Sequence, residues 1–299
     1  MSAVAATPTT WPLTRRSFDA MGSTFELILD GDPPDAEEAM AAAELEIHRL
    51  ERMLSRFLPT SELSLLNAAG ALDASPELVE VTHLALAARE RTGGRFDPTV
   101  HNAVVAAGYD RSFDDLSPEG SAISAGAACG GRVTVTGSTI VIEAGYRLDL
   151  GGIAKGYAAD RACALLAVAG PCIVDAGGDL AIHGPPDQGV WPVAVEVPGA
   201  PLTLGLQRGA LATSGCDHRR WRRGSIELHH IVDPTTGMPA VTSLKRVTAF
   251  ADTATAAEVS AKALLLAGEH AARIEAEMLG IPAVLVTGDG RVVLVGGLA

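Results

Sequence analysis

Aromatic residues are scarce in this 299-residue chain: Phe, Trp and Tyr together make up 4%. A core must then be filled with aliphatic side chains, and the 47% hydrophobic content is ample for that. Basic charge is scarce as well. Lysine plus arginine total 23 against 36 aspartate plus glutamate, a formal net charge of −13, which argues against nucleic acid or anionic lipid as the main partner. Any phosphate site must be local, made from backbone, a few cations or a metal. Cysteine is limited to Cys129, Cys163, Cys172 and Cys216, with no Cys-x-x-Cys spacing. The N-terminus lacks a secretory apolar segment or a lipid-anchored cysteine, so the expected compartment is the reducing cytoplasm. No apolar run approaches the roughly 20 residues that cross a bilayer, so no membrane partner is expected. Internal repeats and low-complexity linkers are missing. Residues 1–15 are expected to be a disordered tail ahead of a single domain over 16–299.

The stretch around which the chain is organised is residues 147–161. Leu148 and Leu150 flank Asp149 as at a strand end, Gly151 and Gly152 give a turn, and an Ala/Leu-rich helical pattern runs to Ala169 before Gly170 and Pro171 stop it. Such a strand-turn-helix junction aims backbone N–H groups and a helix dipole at one point. A phosphate there would explain Lys155, whose ammonium otherwise opposes the dipole. A plain turn before a packing helix, with Lys155 solvated, fits the same letters.

Elsewhere, residues 17–29 read as a strand entered through a turn at Met21 and Gly22. Met40, Ala43, Ile47, Leu50, Leu54 and Phe57 fall three and four apart, the stripe of an amphipathic helix. Ser61 and Ser75 are placed as N-caps of two further helices, the second running to Arg91. Pro98 forces Asp97 into an extended conformation, so Phe96 and Asp97 project from a rigid loop; equally, Asp97 could cap a helix that begins near Thr99. Residues 112–131 are a small, polar surface connection, and 133–143 read as a hairpin. Residues 172–183 read as strand, bend at Gly177 and Gly178, strand; more strands follow at 190–197, 202–206 and 245–251. A basic cluster, His218 to Arg223, is either surface decoration or a docking patch. His229 and His230 alternate on a strand, so at most one faces a given site. Thr253 caps a helix ending near Gly268, in which Glu258 and Lys262 lie four apart, in the plainest reading an exposed ion pair. A last helix and a hairpin turned at Asp289 and Gly290 follow.

Taken in order, several motifs resemble those of the ApbE family of FAD:protein FMN transferases over residues 16–298. They are Met21-Gly22-Ser23, Ser55-Arg56-Phe57 with Ser61-Glu62-Leu63-Ser64 and Leu66-Asn67, Phe96-Asp97-Pro98-Thr99-Val100, and Asp149-Leu150-Gly151-Gly152-Ile153-Ala154-Lys155-Gly156. Gly177-Gly178-Asp179, Ala212-Thr213-Ser214-Gly215 and His230-Ile231-Val232-Asp233-Pro234 with Thr236-Gly237 complete the set. The resemblance implies an α+β fold with mixed or antiparallel sheets, flanking helices and a flavin cleft. It implies that FAD is the substrate, that its FMN half moves to a threonine hydroxyl of an acceptor flavoprotein, and that AMP leaves. By the same resemblance Asp149 and Lys155 contact the flavin nucleotide, and Met21, Phe57, Phe96, Asp97, Pro98 and Val232 line its pocket. Gly152 would offer a backbone carbonyl to Mg²⁺, and His230 would be the general base.

One departure stands out. The family's last helix supplies an Asp and, four residues later, a Thr to Mg²⁺, and the matching positions here are Glu258 and Lys262. Glutamate can ligate the ion, but a protonated lysine has no lone pair to offer. The expectation is that Lys262, held by Glu258, takes over part of the cation's role as a catalytic residue, with Gly152 and Glu258 left as the candidate metal ligands. An FAD-binding protein with altered catalysis and an FAD pyrophosphatase are the alternative outcomes of that change.

Overall fold

The alternation seen near the start of the chain becomes a hairpin. Strands β1 (Leu13–Ala20) and β2 (Ser23–Asp30) pair antiparallel, and the turn between them holds Met21 and Gly22 at positive φ, 53° and 67°. The computed structural model describes residues 12–116, 126–223 and 226–298. The expected tail is therefore corrected at its end: residues 1–11 lie outside the described residues, and Leu13, Thr14 and Arg15 already belong to β1. In chain order there follow α1 (Ala36–Leu54), α2 (Glu62–Ala69), β3 (Ala71–Asp73), α3 (Pro76–Arg91), α4 (His101–Ala106), β4 (Val133–Thr136), β5 (Thr139–Ile142), α5 (Ala154–Leu166), β6 (Cys172–Ala176) and β7 (Leu180–His183). The remainder comprises β8 (Trp191–Val195), β9 (Leu202–Leu206), β10 (Gly209–Gly215), β11 (Arg220–Arg223), β12 (Ile226–His229), β13 (Val232–Asp233), β14 (Met238–Pro239), β15 (Leu244–Ala251), α6 (Ala254–Leu279), β16 (Ala283–Thr287) and β17 (Val292–Val295). Part of the expected surface connection, 117–125, lies outside the described residues.

An eight-stranded sheet, ordered β1-β2-β6-β7-β10-β15-β16-β17 with antiparallel ladders, organises the molecule. The period-two pattern of its strands explains why it is covered on both sides. Leu27, Leu29, Cys172 and Val174 face α1 and α5, while Ile28 and Ile173 point the other way into a core completed by Trp191, Val193 and Leu204 of the β8-β9 ribbon. Both faces are dry, and the fold is α+β. A second core joins the end of α1 to α2, α3, the β3-β5-β4 sheet and Leu148, Leu150 and Tyr157. Among the described residues no helix is long and apolar enough to cross a membrane.

Three departures from the sequence reading matter for the site. The stripe from Met40 to Leu54 is buried as expected, but α1 ends at Leu54 and Phe57 lies beyond it, 37% exposed. Residues 147–150, expected as a strand end, join no sheet. The Leu148 N–H and C=O are instead satisfied by the side-chain amide of Asn67, at 2.7 and 2.8 Å, and the Asp149 N–H by the Pro98 carbonyl at 2.7 Å. The following helix, α5, ends at Leu166 rather than Ala169.

Helices α5 and α6 exchange caps. Asp160 of α5 accepts from the N–H groups of Ala254 and Thr255, at 2.7 and 2.9 Å, while Glu258 of α6 accepts from Gly156 N–H at 3.0 Å. Each carboxylate sits where the partner helix presents unpaired donors and the positive end of its dipole. Gly156 permits the approach, because a Cβ there would lie 2.6 Å from the Ala254 carbonyl oxygen. Helix α6 is interrupted at Gly268 (φ 74°, ψ 166°), and Ser243 Oγ accepts from Glu269 N–H at 2.8 Å to start the second half.

Candidate active site

The junction between α1 and α2, the 95–100 loop, the start of α5, the 230–234 loop and the first half of α6 surround one pocket. Met21, Phe57, Phe96, Asp97, Asp149, Gly152, Lys155, His230, Val232 and Lys262 all line it. Two expected site residues do not. Pro98 acts through its carbonyl on the Asp149 backbone, and Glu258 lies behind Lys155.

Asp149 is buried and fully engaged: its Oδ1 accepts from Gly151 N–H at 2.8 Å and its Oδ2 meets Arg56 Nε at 3.1 Å. The Arg56 guanidinium lies 4.2 Å from the ring centroid of Phe57 and 4.6 Å from that of Tyr109, and donates through Nη1 to the Tyr109 carbonyl at 2.9 Å. Its Nη2 is buried with no partner. An unmet buried donor costs about 1–3 kcal/mol, so this atom is a standing offer to a ligand oxygen or ring nitrogen. Arg56 was visible in the sequence only as part of a motif. Tyr109, Phe113 and Arg219 also line the pocket without having been expected there. The signal that could have found the aromatic pair is their rarity, since four of so few aromatic side chains, Phe57, Phe96, Tyr109 and Phe113, meet at one place.

The choice left open for Asp97 is decided by its own loop. Its Oδ1 accepts from the N–H and hydroxyl of Thr99, at 2.8 and 2.7 Å, and α4 begins only at His101 without a side-chain cap. Asp97 thus rigidifies the 96–99 turn, and Thr99 Oγ1 in turn accepts from Gly130 and Gly131 N–H at 2.9 and 3.2 Å.

The cationic end of the pocket differs from the expectation. The Lys155 ammonium is already paired, with Asp179 and, at 3.1 Å, with Glu258 Oε1. Burial favours the neutral amine, but these two carboxylates outweigh it and raise the Lys155 pKa. Glu258 supplies a carboxylate to the Gly156 N–H in the first turn of α5. Glu258, spent on Lys155 and Gly156, makes no ion pair with Lys262 among the described residues, so the expected holding of Lys262 by Glu258 is corrected. Nor is this pair exposed, since Glu258 is 5% accessible. The Lys262 Nζ instead fills the hollow over Gly152, where a Cβ would lie 1.8 Å away, and stands 5.7 Å from the Phe96 ring centroid. Burial and the neighbouring Lys155 charge lower its pKa.

These residues do not fit the Mg²⁺ that the resemblance implies. Both oxygens of Glu258 already accept hydrogen bonds, Lys262 brings charge of the ion's own sign to Gly152, and no group of three Asp, Glu, His or Cys is arranged for a metal among the described residues.

The two histidines do part, but not by strand alternation as expected: β12 ends at His229 and His230 lies just beyond it. His229 is held by the Ala240 carbonyl at 3.0 Å and by Ile231 N–H at 3.3 Å, whereas His230 lines the pocket with Nδ1 buried and unpartnered. Burial, followed by the charges of Arg219 and Lys262, pushes the His230 pKa well below the ordinary value, so the imidazole is neutral near pH 7. Arg219, at a positive φ of 46°, reaches across the mouth to donate to the Gly22 carbonyl at 3.0 Å.

Residues 21–285 match the family model of the ApbE family. Among curated proteins the chain resembles the FAD:protein FMN transferase of Rhodobacter capsulatus, 33% identical over 94% of the chain, although the match spans 57% of that protein's length. It also resembles that of Treponema pallidum (strain Nichols), 29% identical over 82% of the chain and 76% of the relative. Among solved structures, the ApbE protein of Thermotoga maritima superposes with a TM-score of 0.82 at 24% identity, covering 95% of this chain and 97% of that one. The flavin transferase ApbE of Vibrio cholerae gives 0.77 at the same identity and coverage. At these identities the superpositions establish the fold.

Proposed function

The chain belongs to the ApbE family, and on that premise we propose that it is an FAD:protein FMN transferase acting on a threonine of an acceptor flavoprotein. The observation that carries this reading is one pocket holding a neutral histidine with a bare buried Nδ1, a lysine ammonium and an arginine with an unmet donor. That is the equipment needed to divide a diphosphate: something to take a proton, and positive charge where negative charge gathers.

In this reading the half-exposed face of Phe57, with Met21, Phe96 and Val232, receives the flavin, and Arg56 Nη2 meets one of its polar atoms while Asp149 fixes the guanidinium. Asp97 and Pro98 hold the loop that carries Phe96. The acceptor threonine oxygen attacks the phosphorus on the riboflavin side, the bridging P–O bond breaks, AMP leaves with the bridging oxygen, and the hydroxyl proton passes to His230. Starting neutral suits His230 to that task. The cytoplasm is the compartment this reading proposes, from cysteine usage without Cys-x-x-Cys spacing.

The test is mass spectrometry of AMP and of a panel of threonine-bearing flavoprotein acceptors after incubation with FAD. The expected result is AMP in step with an acceptor carrying one FMN through a phosphoester. AMP release that never leaves covalent flavin on any acceptor would overturn transfer in favour of hydrolysis.

A further inference from the structure

We infer that Lys262 supplies, as a built-in ammonium, the positive charge that faces the FAD diphosphate, so that the pocket binds and divides FAD without a divalent cation. The inference rests on the flavin reading above and adds what neutralises the phosphates.

Lysine is nearly absent from this protein: Lys155, Lys245 and Lys262 are its three lysines among 23 basic residues. Two of the three meet in this pocket. Arginine serves almost everywhere else, and the chemical difference is size and shape. An ammonium is a compact point charge that enters a small hollow, while a guanidinium is a broad planar fork. The hollow over Gly152 is of that small kind, since the Lys262 Nζ lies 1.8 Å from where a Cβ on Gly152 would be, and Phe96 Cε2 closes one wall at 3.3 Å. A side chain at 152 would displace the Lys262 ammonium from this hollow.

The charges nearby divide unevenly. Asp179 and Glu258 both turn to Lys155, and the second oxygen of Glu258 is taken by Gly156 N–H. Two carboxylates thereby meet one ammonium, and their surplus negative charge reaches Lys262 only through space, not by contact. Lys262 has no carboxylate at ion-pair distance among the described residues and keeps only the Phe96 ring, a weak cation–π partner. Its ammonium lines the pocket without a contact counter-ion, and a diphosphate is a fitting one. A divalent cation at the same place would meet this ammonium and find Glu258 already bonded. The two lysines thus act in series, Lys155 orienting the carboxylates away and Lys262 facing the ligand.

The experiment is FAD and riboflavin binding to the full-length protein, followed by flavin fluorescence in EDTA and in excess Mg²⁺, with calorimetric titration of Mg²⁺ into the FAD complex. FAD should bind equally well in both buffers, and Mg²⁺ should give no binding heat. Lys262→Met should weaken FAD about tenfold to a hundredfold, the effect of losing one charged hydrogen bond, and leave riboflavin, which has no phosphate, unchanged. Riboflavin binding and a normal melting curve show that the variant is folded. FAD binding that tightens strongly with Mg²⁺, or a Lys262→Met protein that binds FAD as the parent does, overturns the inference while the flavin reading stands. A parent that binds neither FAD nor riboflavin overturns both. Should the variant fail to fold, the parent's response to Mg²⁺ alone still supports or overturns the built-in charge.

Discussion

Arg56 and His230 are the two pocket residues whose burial has the clearest physical consequence. The Arg56–Asp149 pair is almost wholly out of water, with side-chain exposures of 7% and 9%. Arg56→Met should strand the Asp149 carboxylate and cost about 3–5 kcal/mol of stability, read as a shift in the urea midpoint with unchanged slope; a loss under about 1 kcal/mol would mean that Asp149 re-solvates easily. His230→Gln keeps the volume and removes the base. Transfer should fall by about 10²–10⁴ while FAD affinity holds, a split that a merely structural histidine would not produce. The same variant tests the pH behaviour. With its pKa lowered in the folded protein, His230 takes up a proton in the unfolded chain first, at about pH 6.5. Between the two pKa values the unfolded state binds more protons, so stability rises with pH and is lost on acidification below about pH 6.5. His101 and His229 share the direction, both lowered first by burial. Comparing denaturant midpoints at neutral and mildly acidic pH should show less acid loss for His230→Gln than for the parent.

Between elements, the crossing of α5 and α6 sets the cationic end of the pocket. Gly156 and Asp160 lie four apart on α5, as do Ala254, Glu258 and Lys262 on α6. Spacing by four stacks side chains on one helix face, so each face delivers a close contact and a capping carboxylate together. Asp160→Ala should cost about 1–2 kcal/mol, as loss of an N-cap does, and be visible as a lower melting temperature. Gly156→Ala should be worse for function than for stability. Its Cβ would lie 2.6 Å from the Ala254 carbonyl oxygen, and parting the helices moves Glu258 off Gly156 and Lys155. Weakened FAD binding in Gly156→Ala, unmatched in Asp160→Ala, is the expected contrast; equal effects would assign the crossing to stability alone.

For the molecule as a whole, a net charge of −13 makes the arginines of the β11-β12 ribbon conspicuous. The structure separates them. Arg219 spans the pocket mouth, Arg220 pairs with Glu227 at 2.6 Å, Arg223 donates to the Gly108 carbonyl at 3.2 Å, and Arg222 is exposed. A docking role for an acceptor protein therefore rests on Arg222 rather than on the cluster. Arg222→Glu should lower kcat/KM for the acceptor at low salt, converge with the parent as salt screens the charge, and leave FAD affinity alone. Rates equal at every ionic strength would remove the ribbon from acceptor recognition.

The helix stripe of α1, the caps at Ser61, Ser75 and Thr253, and the hairpins at 133–143 and 172–183 were legible in the sequence because each depends on neighbours a few residues away. The ordered motifs, which named most of the pocket's lining, were legible for the same reason, each being a short contiguous run. What only the tertiary structure decided was which charge meets which. Lys155 and Glu258 are 103 positions apart, and Asn67 and Leu148 are 81; no local pattern ranks such partners. A lysine and a glutamate four apart on one helix read as a pair until a second helix brings a nearer claimant. Glu258 then turned to Lys155 and Gly156, and Lys262 was left to the hollow over Gly152, because in a buried space each charge goes to whichever counter-charge and donor the packing brings within bonding distance.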